Sequence, residues 1–146
     1  MTVENSCGAV VYTRQNGEIR YLLIQNLEGI YGFPKGHMEP NETERETALR
    51  EIKEETGLTV ALLPGFRTTD EHPLPNKPDT LKRIVYFLAF YENQTPVFQK
   101  EELLSAKLYA YEDAMQRFQF ESSRRILDEA HEHLIKIQTK KHTRQG

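Results

Sequence analysis

The sequence predicts an α+β domain in which helices pack on a mixed β-sheet. Two apolar, β-branched runs, CGAVVYT and IRYLLIQ, are joined across Asn16-Gly17, a dipeptide suited to a tight hairpin. A charged stretch bounded by helix-capping residues follows, from about Glu42 to Thr56. RIVYFLAFY, Arg83 to Tyr91, is apolar almost throughout and suits a strand covered on both faces. The order strands, helix, strands, helix shows no internal repeat and no linker. The 146 residues are therefore read as one domain.

The other elements follow from local chemistry. In LEGIYGFPK, Leu27 to Lys35, glycines and a proline mark a loop or a short strand with turns. Asn41 is the expected N-cap of the first helix, with Glu44 completing a capping-box pair, and Gly57 supplies the left-handed C-cap. TVALLPGFRTT reads as a strand interrupted at Pro64-Gly65, and the proline-rich DEHPLPNKPDT as a surface loop. Lys107 to Tyr111 is a further short strand. The last helix runs from about Glu121 to Ile137, where Ile126, Leu127, Ala130, Leu134 and Ile137 recur at helical spacing. Residues 1–137 then form the domain, and 138–146 a basic, frayed tail.

Composition narrows the function classes. With 38% hydrophobic and 28% charged residues, a folded globular chain is expected. The net charge of −3 argues against general nucleic-acid binding, though it leaves room for a local basic pocket. The first residues lack the pattern of a signal peptide, and the apolar run VYFLAFY is too short to span a bilayer, so no membrane partner is expected. The single Cys7 has no internal disulfide partner and sits in an apolar run, where it serves as core filler. A cytoplasmic chain is the resulting expectation.

The densest chemistry lies in REIKEETGL. At about 100° per residue, Glu51, Glu54 and Glu55 share a narrow arc of the first helix, with Leu49 and Ile52 on the adjoining, core-facing arc. Like charges so spaced weaken a helix. A solvated acidic face is the ordinary fate of such a run. Carboxylates crowded beside a buried face instead take up protons or hold a cation. Oxygen-only ligands select hard ions, and Mg²⁺ commonly shares its shell among carboxylates, waters and phosphates.

The surrounding residues are more specific. Gly36, then Glu42, then Arg50-Glu51-Ile52-Lys53-Glu54-Glu55-Thr56-Gly57-Leu58 reproduce the signature of the Nudix hydrolases, which this chain resembles. The resemblance implies a Nudix-type α/β/α sandwich with a mixed β-sheet between helices. It also implies hydrolysis of nucleoside diphosphates linked to another moiety, by metal-assisted attack of water on phosphorus. Glu51, Glu54 and Glu55 become the metal ligands, for Mg²⁺ or Mn²⁺, and Glu54 or Glu55 also acts on the water. Arg50 joins this catalytic set through an orienting ion pair. Glu42 is structural, while Gly36 and Gly57 serve backbone geometry, with a main-chain carbonyl near Lys35-Gly36 in reach of a metal.

Within the family the chain is most similar to the asymmetric diadenosine tetraphosphate hydrolases. The likeness runs through CGAVVY, EGIYGFPKGHMEP, LPGFR, the NKP turn, RIVYFLA and EDAMQRFQFESSRRILDEAHEHL. It implies a dinucleoside polyphosphate substrate, cleaved to ATP and AMP. Lys35 and His37 are then expected on phosphate oxygens, and Lys77 and Lys82 on the polyphosphate. Glu102 joins the metal site, with Glu101 its competitor. Phe120 stacks on a base, and Tyr86 is either a ligand contact or a core residue. The chain departs from the pattern at His72 (tyrosine expected), Asp79 (lysine expected) and Leu108 (tryptophan expected), and two residues are inserted before the long strand. The same centre also suits an RNA 5′ pyrophosphohydrolase or a nucleoside triphosphate pyrophosphatase. A non-catalytic, nucleotide-sensing module would lack signature carboxylates, and here all are present. Oligomeric state stays open.

Overall fold

The computed structural model of the chain describes the backbone of residues 1–145 and the side chains as far as Gln138. Strands β1 (Thr2–Gln15) and β2 (Glu18–Asn26) form the expected hairpin. Gln15 pairs with Glu18 across Asn16 and Gly17, whose φ values of 52° and 81° fit a type I′ turn. Then come β3 (Tyr31–Gly32), β4 (Lys35–His37), α1 (Glu44–Thr56), β5 (Ala61–Leu62), β6 (Thr68–Pro73) and β7 (Thr80–Phe90). The chain ends in β8 (Leu103–Tyr109), α2 (Tyr111–Arg117) and α3 (Glu121–Gln145).

The sheet is mixed. β1 and β7 run parallel along most of their lengths, while the other pairs are antiparallel. Even-numbered residues of β1 and β7 (Val10, Tyr12, Ile84, Tyr86, Leu88) pack against α2 and α3. Odd-numbered ones (Cys7, Ala9, Val11, Val85, Phe87, Ala89) pack against Ala48 and Ile52 of α1. Both faces are therefore covered, as the unbroken apolar run of β7 requires, and the α/β/α layering is as expected.

Several boundaries differ from those read in the sequence. Helix α1 starts at Glu44, capped by Thr43 with Glu46 as the reciprocal partner, rather than by Asn41 and Glu44. Asn41 instead has φ 71°, and the Glu42 carboxylate turns back to the Glu39 amide. The run Asp70-Glu71-His72-Pro73, expected as loop, belongs to β6 because each residue pairs with β7. Leu49 is 39% exposed, since the buried stripe of α1 is carried by Ala48, Ile52 and Thr56. Helix α2 has no counterpart in the sequence reading, and its buried side is a single alanine, Ala114. The backbone of α3 continues to Gln145, beyond the end expected at Ile137. The side chains of the basic tail lie outside the described residues.

One substitution of strand matters for the site. β1 pairs with β2 through Val11 to Gln15, but with β4 through Ser6, Cys7 and Gly8. β4 approaches so closely that a Cβ on Gly8 would lie 2.1 Å from the Pro34 carbonyl oxygen and 2.7 Å from Lys35 Cβ. The first obstacle is backbone and cannot rotate away. Gly8→Ala is expected to lower stability by about 3 kcal/mol, read as a reduced urea midpoint at unchanged m-value.

Candidate active site

The last turns of α1 meet β4 at Gly36. A side chain there is impossible without displacement, because its Cβ would fall 2.0 Å from the Glu51 carboxyl carbon. At the other end of the motif Gly57 has φ 73° and donates its amide to Lys53 O, which ends the helix in the left-handed conformation.

Arg50 organises the acidic turn. Its Nε donates to Glu42 Oε2 at 2.7 Å and its Nη2 to Glu42 Oε1 at 2.9 Å, a two-pronged pair. Nη1 reaches Glu51 Oε1 at 2.7 Å and Glu54 Oε2 at 3.3 Å, and Nη2 also donates to the His37 carbonyl at 3.0 Å. Hydrogen bonds from Arg50, then from the Glu39 amide and Thr47, hold the Glu42 carboxyl down to about 2. Glu42, which takes two of these hydrogen bonds, is its strongest partner.

Beside this network lies a cavity of about 280 Å³ lined by Glu51, Glu54, Glu55, Gln99 and Glu102. Glu102, not its neighbour Glu101, lines it. Glu55 is mostly buried, and its Oε1 has no hydrogen-bond partner. Burial pushes its carboxyl up to about 7, reinforced by Glu51 and Glu102 and opposed by the charge and the backbone N–H of Lys35. Among the described residues no three acidic, histidine or cysteine side chains are already drawn together as ligands of one ion. They line a wider cavity instead, and two of them are held by Arg50. An oxygen-only donor set, with one buried oxygen lacking a partner, fits a hard divalent cation that keeps part of its water shell.

Next to the acidic cavity the sheet register builds a second feature. Residues paired across a ladder share a face. Gly8 pairs with Lys35, Ser6 with His37, Glu4 with Lys82, and Lys82 with His72. Lys35, His37, Glu4, Lys82, Asp70 and His72 therefore share the α3-facing side of the sheet, at the end where β4 replaces β2. Lys35 lies nearest the acidic cavity. Burial, then Lys82, holds its ammonium below the usual lysine value, while Glu55, Glu51 and Asp70 support its charge. Lys77, on the turn after β6, bonds Glu4 at 2.6 Å. Tyr86 is 4% exposed and edge-on to Phe33, which also packs against Phe118. Phe120, in the turn before α3, is 55% exposed. Of the departures, Asp79 turns to the N-terminal amine at 3.5 Å, while His72 shares the face with Lys82.

Residues 4–130 match the model of the NUDIX domain. The chain belongs to the Nudix family. Among its relatives, the asymmetrical bis(5′-nucleosyl)-tetraphosphatase of Mus musculus is 34% identical over 145 residues, covering 88% of this chain and 94% of the mouse protein. The crystal structure of a Caenorhabditis elegans Ap4A hydrolase binary complex superposes with a TM-score of 0.82 at 25% identity, covering 90% and 98% of the two chains. The NUDIX domain of Shewanella oneidensis NrtR, complexed with ADP ribose, shares the fold at a TM-score of 0.72 and 20% identity, covering 92% and 90%. This Nudix chain is a hydrolase homologous to the asymmetrical tetraphosphatases, in a family that generally uses a divalent metal. No helix among the described residues is long and apolar enough to cross a membrane.

Two members of the cluster, Glu4 and Asp70, escape sequence reasoning, because only the β1–β7 and β6–β7 registers bring them beside the lysines. A larger cavity of about 390 Å³ lies between the end of β1, β5 and α3, lined by Tyr12, Arg14, Leu62, Phe90 and Leu134. It has no gathered carboxylates, so chemistry favours the smaller, acidic one. The acidic cavity also carries a stability signature. A carboxyl whose folded pKa of about 7 exceeds its unfolded value leaves the folded state the better proton binder between the two. Stability therefore falls as pH rises through that window. Without divalent metal, Glu55→Gln is expected to raise the melting temperature at pH 8, by an equivalent of about 2 kcal/mol, and to change it little at pH 4.5. Equal shifts at both pH values would remove Glu55 as the source.

Proposed function

We propose that this Nudix hydrolase is a Mg²⁺-dependent enzyme that splits diadenosine tetraphosphate into ATP and AMP, with Mn²⁺ as the substitute ion. One observation carries the reading: a cavity of four carboxylates adjoins a sheet face bearing Lys35, His37 and Lys82. Such a pairing suits metal-assisted chemistry at one end of a chain of phosphates. The likeness to the mouse tetraphosphatase across most of both chains supports the same substrate. A reducing, cytoplasmic setting suits the buried, unpaired Cys7.

Glu51, Glu54, Glu55 and Glu102 would hold the divalent ion, which when bound supplies a more acidic water and neutralises charge on the phosphates. Glu55, which lines the cavity, takes a proton from the attacking water. The water oxygen then joins phosphorus while the bridging phosphoanhydride bond breaks, so that AMP and ATP separate. Arg50 acts through the carboxylates it holds, keeping Glu51 and Glu54 in place. Lys35 and Lys82, with His37 and Lys77, hold the phosphates by charge-assisted hydrogen bonds. Phe120 offers an exposed ring on which adenine stacks, and Tyr86 supports the cleft from the core beneath.

The decisive assay offers diadenosine tetraphosphate, a triphosphate-ended RNA and nucleoside triphosphates separately, in oxygen-18 water with Mg²⁺. ATP plus AMP, with one label per event, is the expected product pair. Pyrophosphate release from RNA or from one triphosphate would replace the substrate assignment and keep the centre. Glu54→Gln is expected to lower kcat by at least about a hundredfold while the folded spectrum is retained. Unchanged turnover would overturn the metal-site assignment.

A further inference from the structure

We infer that Glu4 is a specificity-determining residue, a carboxylate built into the phosphate-binding face that competes with substrate phosphates for its cations. The inference rests on the polyphosphate reading of that face. Glu4 is the third residue of β1 and pairs in parallel register with Lys82. Two residues on, Ser6 pairs with His37. Glu4 therefore stands on the same side of the sheet as Lys82 and His37, and its Oε1 accepts a hydrogen bond from Lys77 Nζ at 2.6 Å. Its side chain is 26% exposed, against 61% for Lys77. Lys77, with smaller contributions from His37 and Lys82, holds its carboxyl below the usual range. Of the four residues expected on the phosphates, Lys77 thus bonds Glu4 directly, and Lys82 and His37 share its face.

A phosphate chain reaching Lys77 and Lys82 must either displace Glu4 from Lys77 or lie beside its negative charge. Either way Glu4 opposes binding. The effect is local to one end of the face. Glu4 lies four residues from Gly8, the partner of Lys35, so the Glu4 and Gly8 positions stand about 13 Å apart along the strand. It meets the phosphates remote from the carboxylates and leaves a short anion near Lys35 unaffected. Such an arrangement sets how many phosphates the face accepts. An ion pair that merely pinned the turn after β6 to β1 would show no such dependence on length.

The test is calorimetric binding of inorganic tripolyphosphate and of orthophosphate to the full chain, without divalent metal at low salt. Glu4→Gln is expected to tighten tripolyphosphate about fivefold and to leave orthophosphate within about twofold. Glu4→Ala must also give a gain, and adding Lys77→Gln to Glu4→Gln must take most of it back. A gain in affinity is a result that mere loss of stability cannot produce. Unchanged or weaker tripolyphosphate binding in both Glu4 variants, or equal gains for both anions, would overturn the inference. The substrate reading fails separately: a native chain that leaves diadenosine tetraphosphate intact, while Glu4→Gln still tightens tripolyphosphate, refutes the substrate and retains Glu4.

Discussion

Five hydrogen bonds leave the guanidinium of Arg50, and the acidic site depends on them. Two go to Glu42, before α1 begins; two go to Glu51 and Glu54, on α1; one goes to the His37 carbonyl, on β4. A planar fork with fixed donors can serve three segments at once, and the point charge of a lysine cannot. Without it, Glu51 and Glu54 would repel each other across one turn of helix. With it, one oxygen of each is held on the cation. Glu42, 16% exposed, stays ionised because the same cation holds its proton off. Charge that would unwind an isolated helix is here part of a network joining helix to strand.

From Arg50 the constraint passes to the backbone. Fixing Glu51 presses its carboxylate against Gly36, so β4 must lie flat beneath it with no side chain at that point. β4 in turn presses on Gly8 of β1. Two glycines on paired strands, one under each face, allow the strand to pass between the acidic turn and the lysine-bearing side of the sheet. Glu55 is the member left out of this compensation. It is buried, it has an oxygen without a partner, and its neighbours Glu51 and Glu102 raise its proton affinity further. A group so placed opposes stability, and a carboxyl perturbed in this way is a candidate for chemistry.

How much of this was legible in the sequence depends on how far apart the interacting residues lie. The hairpin at Asn16-Gly17, the two-sided strand β7 and the grouping of Glu51, Glu54 and Glu55 on α1 are all set by residues a few positions apart and are legible in the sequence, although Leu49 falls outside the buried stripe expected for it. The C-cap at Gly57 is of the same kind. The N-cap was misread because two overlapping signals compete: Asn41 with Glu44, and Thr43 with Glu46. The second prevails once Arg50, eight residues further along, pulls Glu42 out of the helix. β6 was misread as loop because its polar, proline-bearing run becomes a strand only by pairing with β7. Helix α2 left little trace, since its buried side is one alanine.

The same distinction separates the two halves of the site. The carboxylates that would hold a cation belong to one helical motif, apart from Glu102, so their grouping follows from spacing alone. The lysine-bearing face has no such motif. Lys35, Lys77 and Lys82 were each read singly, as cations available to an anionic chain. The parallel register of β1 on β7, joining segments about eighty residues apart, decides otherwise. It brings Lys82 to the face, and by the same pairing it brings Glu4, which holds Lys77. β6 adds Asp70 beside them. A count of lysines therefore overstates the positive charge of the face, because the strand that completes it carries a carboxylate into it. A cluster of carboxylates can be written in a short local pattern, whereas the balance of charge on a sheet face is settled by strand pairing.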